Sequence, residues 1–181
     1  MNFLSLTKSV FNGTLFVVDG VKLVRLTDCF SDEDLDSINK VYDTDPEHVV
    51  TSYSMNKKDW PFELDKSSTE YKLFLDAVNA KLGTNFDHYV GRIWQEEAGH
   101  HMGMHVDNEM VCGSMQIYLP STADENTGTV FYNNGDPTLQ FKFKPNTGYL
   151  CADPRKIFHS TGNAVGENKF RRSAYFIFRD A

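Results

Sequence analysis

The chain has 181 residues, enough for one ordinary domain with a real core and too few for two. Its 40% hydrophobic and 13% aromatic content is that of a packed globular protein and excludes a disordered one. The 18 Lys and Arg against 25 Asp and Glu leave a net charge of −7, which argues against a protein whose main task is gripping nucleic-acid phosphates, since that needs a clustered basic surface.

The first patterned stretch, residues 15–26 (LFVVDGVKLVRL), predicts two short strands joined at Asp19-Gly20, a dipeptide that favours the tight turn of a hairpin. Ser31 then precedes DEDLDSINKVY, with acidic residues where the helix dipole favours them, and Leu35, Ile38 and Tyr42 fall on one helical stripe. This helix is expected to serve packing. Residues 43–67 hold Pro46, Trp60 and Pro61 without a sustained period, and are expected to be mostly irregular, with one extended piece over residues 49–55. Such a segment is a candidate to line a substrate entrance, or a surface excursion with Trp60 tucked into the core. Ser67 or Ser68 can cap a second helix that Gly83 ends, with Tyr71, Phe74, Leu75, Val78 and Leu82 as its buried stripe.

After Thr84 the pattern changes to strands. FDHYVGRIWQ, the HVD segment, SMQIYL, TGTVFY, LQFKF, YLCA and RRSAYFIF are short and separated by turn residues, as in a sandwich or barrel. A single domain over 1–181 is expected, with strands and supporting helices in 1–88 and the main β core in 89–181. The odd number and irregular spacing of Cys29, Cys112 and Cys151 read as reduced, buried thiols of a cytosolic protein. Residues 1–14 lack a charged start followed by a long apolar stretch, and no apolar run approaches the ~20 residues a membrane helix needs. A soluble, cytoplasmic chain without a membrane partner is expected.

The chemistry concentrates in GHHMGMHVDNEM. In extended backbone, positions i and i+2 share a face, so His105 and Asp107 would stand side by side. An imidazole and a carboxylate make two thirds of the facial triad that holds non-haem Fe(II) and leaves positions open, and His159 in KIFHSTGN is the best candidate for the third ligand. His101 and His105 have the HxxxH spacing of two zinc ligands on a helix, but Gly99 and Gly103 disfavour a helix there. His48 and His88 lie far from any motif.

The order of HxD, distal His and an Arg-led last strand resembles that of the Fe(II)- and 2-oxoglutarate-dependent oxygenases, over residues 89–178. HVDN and IYLP are most similar to the prolyl-hydroxylase branch, and HSTGN with FRRSAYF to the phytanoyl-hydroxylase branch. The resemblance implies a mainly β fold with flanking helices, a double-stranded β-helix or cupin-like jelly roll braced by two N-terminal helices. It also implies Fe(II), 2-oxoglutarate and O2 as cofactor and co-substrates, with ascorbate as a candidate reductant. The expected activity is hydroxylation of an unactivated C–H bond in a peptidyl residue or small molecule, with release of succinate and CO2.

In such enzymes a basic residue meets the distal carboxylate of 2-oxoglutarate, a role that suits the planar fork of Arg. Arg171 is expected to fill it, with Ser173 as a second donor on the same face, because Arg172 shares its face with Ala174, Phe176 and Phe178. By the same resemblance Tyr118 in IYLP would hydrogen-bond that carboxylate, although an aromatic core residue is the equal alternative. Trp94, Gln95, Asn108 and Arg172 remain candidates for substrate or outer-shell contacts. Two other readings stay open: a cupin-like barrel that binds a metal or ligand without turnover, and zinc hydrolysis through His101 and His105.

Overall fold

The computed structural model describes residues 3–52, 55–62 and 64–180. The Asp19-Gly20 turn is formed by two positive-φ residues, at 48° and 76°, and joins β1 (Thr14–Val18) to β2 (Val21–Thr27). Positive φ at both central positions matches the twist of the flanking strands, which is why Gly follows Asp there. Helix α2 (Asp32–Asn39) starts at Ser31, whose hydroxyl accepts the Asp34 N–H, and α3 (Thr69–Leu82) starts at Ser68, which accepts the Tyr71 N–H. Gly83, at φ 71°, ends α3 in the left-handed conformation that costs glycine least.

Two expectations are corrected in this half of the chain. A third helix, α1 (Leu4–Asn12), precedes β1 and buries Leu6, Ser9 and Val10, so three helices rather than two brace the sheet. Residues 43–67 hold two strands where one extended piece was expected: β3 (His48–Thr51) and β4 (Asn56–Phe62) pair as antiparallel strands. The extended piece expected over 49–55 includes Tyr53 and Ser54, which lie outside the described residues. Trp60 is in the core, its indole N–H donating to the Thr44 carbonyl. Pro61 is tolerated in β4 because Asp59 faces β3, accepting the Glu47 N–H, and Pro61 faces the same way past the end of β3.

The remaining strands are β5 (His88–Glu97), β6 (Gly113–Leu119), β7 (Thr129–Asn133), β8 (Asp136–Phe141), β9 (Thr147–Cys151), β10 (His159–Thr161) and β11 (Phe170–Arg179). They form an eight-stranded sheet in the order β1-β2-β9-β6-β11-β5-β4-β3 and a three-stranded sheet in the order β10-β7-β8. The HVD segment is not a strand: only His105 forms an isolated antiparallel bridge, with His159, inside an otherwise irregular connection from β5 to β6.

Both faces of the large sheet are covered, and alternation sorts its side chains. Met115, Ile117 and Leu119 of β6, with Ala174, Phe176 and Phe178 of β11, join Leu6, Phe74 and Val78 of the helices in one core. From the opposite face Leu23, Tyr118 and Tyr149 meet Phe131 and Phe141 of the small sheet in a second core. The result is a sandwich of two antiparallel sheets with helices on its outer face, the mainly β jelly-roll architecture expected from the sequence. Among the described residues, no helix is long and apolar enough to cross a membrane.

Candidate functional site

His105, Asp107 and His159 converge at the open end of the space between the two sheets, with ligand atoms within 4.8 Å of one another. The backbone brings them there. His105 N–H donates to the His159 carbonyl at 2.9 Å and His159 N–H returns the bond at 2.8 Å, which ties the loop to β10. Asp107 N–H donates to the Pro154 carbonyl, fixing the loop two residues on. The i, i+2 placement inferred for a strand is thus achieved by a pinned loop.

The side chains are prepared as ligands. His105 Nδ1 lies 2.8 Å from the Gly103 carbonyl and His159 Nδ1 lies 3.1 Å from the Ile157 carbonyl, so each ring proton belongs on Nδ1 and each Nε2 keeps its lone pair. Both Nε2 atoms face Asp107 Oδ1, at 3.6 and 3.4 Å. Asp107 Oδ2 accepts the Tyr175 hydroxyl at 3.3 Å, leaving Oδ1 turned toward the two imidazoles. Burial alone would raise the Asp107 pKa, but hydrogen bonds and charge from His105 and His159 outweigh it and hold the carboxyl well below its usual range. The carboxylate partner in turn raises the His105 pKa, against partial burial. Two imidazole nitrogens and a carboxylate oxygen gathered at the cavity mouth fit a divalent transition metal such as Fe(II).

Behind the three residues lies a cavity of about 80 Å³, with Trp94, Glu96, Gln116, Thr129, Tyr149, Arg171 and Tyr175 in its wall. Arg171 reaches it from β11, as expected from its face, and is 1% exposed. Trp94 stacks on Tyr175 with ring centroids 4.1 Å apart, and Lys57 stands 3.8 Å over the same indole.

Other expected residues are placed elsewhere. Tyr118 is behind the cavity wall: its hydroxyl accepts the Thr129 N–H at 2.9 Å and reaches Thr129 Oγ1 and the Phe141 carbonyl. Ser173 is fully buried and accepts from Gln116 Nε2 at 3.0 Å, so it orients Gln116 rather than entering the cavity. Gln95 and Arg172 occupy the opposite face, with Arg172 Nε donating to Gln95 Oε1 and its guanidinium 3.8 Å over Tyr42. Asn108 is exposed and accepts the Met110 N–H within its own turn. His101 is outside the three-residue cluster, as the glycines around it implied, and lines a separate groove with Tyr132 and Asn163.

Sequence reasoning missed Glu96, which lies beside Trp94 and Gln95 on β5 and is 2% exposed. Directly opposite Arg171 across the β5–β11 pairing, its carboxylate takes the Arg171 Nε–H, while Arg171 Nη1 donates to the Thr127 carbonyl. Burial opposes ionisation of Glu96, yet the charge and hydrogen bond of Arg171, with the His100 ring beside the other oxygen, keep its pKa far below normal. An acid in a strand of otherwise amphipathic alternation gave no signal that it faces inward. A second acidic and histidine cluster, Glu47, His48 and Asp59, is no metal centre: the Arg92 guanidinium already lies between Glu47 and Asp59.

The chain has the fold of the 2-oxoglutarate and Fe(II)-dependent oxygenases. It is similar to an oxidoreductase of the 2OG-Fe(II) oxygenase family from Burkholderia pseudomallei, at 18% identity and a TM-score of 0.65, over 87% of this chain and 85% of that one. It is also similar to a Pseudomonas putida prolyl-4-hydroxylase, at 11% identity and a TM-score of 0.65, over 98% of both chains. A third structure, the non-haem alpha-ketoglutarate-dependent epimerase SnoN of nogalamycin biosynthesis, matches at 12% identity and a TM-score of 0.66, over 97% of this chain and 82% of that one. No protein-family model matches the sequence, and no curated protein matches it at a significant level.

Proposed function

We propose that this protein is an Fe(II)- and 2-oxoglutarate-dependent oxygenase that hydroxylates an unactivated C–H bond in a peptidyl residue or a small molecule. The observation that carries the reading is the convergence of His105, Asp107 and His159, with both Nδ1 atoms engaged by carbonyls, at the mouth of a cavity that contains Arg171. His105, Asp107 and His159 would hold the metal. With 2-oxoglutarate and O2, that metal supplies oxidative decarboxylation to succinate and CO2 coupled to substrate oxidation.

The chain's own residues do the positioning. Tyr175 donates to Asp107 Oδ2 and fixes which carboxylate oxygen faces the histidines. The Trp94–Tyr175 stack forms one wall of the cavity. Arg171 is the basic group in the cavity wall, and Gln116, held by Ser173 and by the Tyr149 hydroxyl, presents an amide to the same space. The prolyl-4-hydroxylase and epimerase neighbours support this class of chemistry through shared fold and leave the substrate to experiment.

The test is anaerobic reconstitution with Fe(II), followed by addition of O2 and 2-oxoglutarate and measurement of succinate, with and without candidate peptides. The expected result is iron-dependent succinate formation, slow without substrate and lost in Asp107→Ala. Metal binding with no turnover of any 2-oxo acid would instead leave a metal-binding barrel.

A further inference from the structure

The basic end of the cavity is already electrically satisfied. Arg171 and Glu96 are 1% and 2% exposed and pair directly across two strands. The other Glu96 oxygen, Oε1, lies 3.1 Å from His100 Nε2, a contact whose alignment falls short of a good hydrogen bond. His100 is 1% exposed, and its Nδ1 accepts the Asn56 N–H at 3.2 Å, which places the proton of a neutral ring on Nε2, facing Glu96. The pair of anionic Glu96 and cationic Arg171 carries no net charge. Lys57, opposite Glu96 on β4, directs its ammonium to the Trp94 ring and is not on the cavity wall.

A free buried Arg would bind the far carboxylate of a 2-oxo diacid through a two-point charged contact. Here Nε and one terminal nitrogen are engaged, and a second carboxylate would enter beside Glu96 as a like charge out of water. We propose that Glu96 is a selectivity-determining residue that, by holding Arg171 in a neutral pair, removes most of the advantage of a dicarboxylate 2-oxo acid over one with an uncharged tail. The inference rests on the oxygenase reading above and concerns which 2-oxo acid the cavity takes. Glu96 acts through Arg171 and touches no metal ligand.

The test is calorimetric titration of the Mn(II)-loaded protein with 2-oxoglutarate and with 2-oxopentanoate, which has the same carbon chain and a methyl in place of the distal carboxylate. Pairing a desolvated charge with a free Arg would favour the diacid by well over about tenfold, so a wild-type preference below about tenfold is expected. In Glu96→Gln, of nearly the same shape, 2-oxoglutarate should bind at least about tenfold tighter than to the wild type while 2-oxopentanoate and Mn(II) binding stay within about threefold. A purely structural role for Glu96 would weaken all three ligands together. A wild-type preference of about tenfold or more, or an unchanged ratio in Glu96→Gln, overturns the proposal, and the wild-type ratio alone decides it where the variant does not fold. Binding of Mn(II) with no binding of either acid overturns the oxygenase reading and this inference with it.

Discussion

At the scale of single residues, the site depends on the atoms that hold His105, Asp107 and His159 in register as well as on those three side chains. Tyr175 is the clearest case: it donates to Asp107 Oδ2 at 3.3 Å while its ring stacks on Trp94. Tyr175→Phe keeps the stack and removes the donor, so Asp107 is freer to rotate and its Oδ1 is no longer reserved for the metal. Loss of such an outer-shell partner typically costs about 10–100-fold in metal affinity. Co(II) titration followed by visible absorption should show a weakening in that range, and an affinity within about twofold of the wild type would mean that the loop hydrogen bonds alone orient Asp107. The three clustered residues were legible in the sequence from HxD spacing and a distal His. Glu96 was not, because charge pairing across strands is set by register, and register is not written in the neighbourhood of either residue.

At the scale of elements, the sequence showed what periodicity and capping encode locally. The β1–β2 hairpin, α2, α3 and the C-terminal strands carry turn residues, side-chain caps or alternation. Helix α1 carries none of these signals, since no side chain caps it and its first turn has no acid, so packing against α3 and β2 must hold it. The β3–β4 hairpin hid behind Pro46, Trp60 and Pro61, two of which belong to a strand whose free edge tolerates proline. Tight interstrand packing also makes one glycine indispensable. A Cβ on Gly148 of β9 would fall on the carbonyl oxygen of Gln116 in β6, forcing apart two strands that pair from Ser114 to Ile117. Gly148→Ala should destabilise the protein by about 1–3 kcal/mol, as overpacking of a filled interior does. Urea denaturation gives the check, and because Gln116 lines the cavity, affinity for the 2-oxo acid should fall with stability.

At the scale of the whole molecule, the candidate metal centre joins pieces of chain far apart in sequence. His105 and Asp107 lie in the connection between the central strands β5 and β6, whereas His159 opens β10 at the edge of the small sheet. A bound ion therefore links the two sheets at their open end and favours only the folded chain, where the ligands meet. At a free metal concentration of 100 times the dissociation constant this linkage is worth about 2.7 kcal/mol. For a chain of this length each kcal/mol raises Tm by about 2–4 °C, so a rise of about 5–10 °C is expected with Fe(II) under anaerobic conditions. The sign of its pH dependence follows from His105. Asp107 raises the His105 pKa above its ordinary 6.5, so in the metal-free protein the pair adds stability below that pH and loses it as pH climbs through the raised value. Metal binding requires the neutral ring and must displace that proton. The metal-induced rise in Tm should therefore be larger at pH 8 than at pH 6, and Asp107→Ala should abolish it at both. Equal shifts at the two pH values would mean that His105 carries no proton to displace, and a full shift in Asp107→Ala would place the ion elsewhere on the protein.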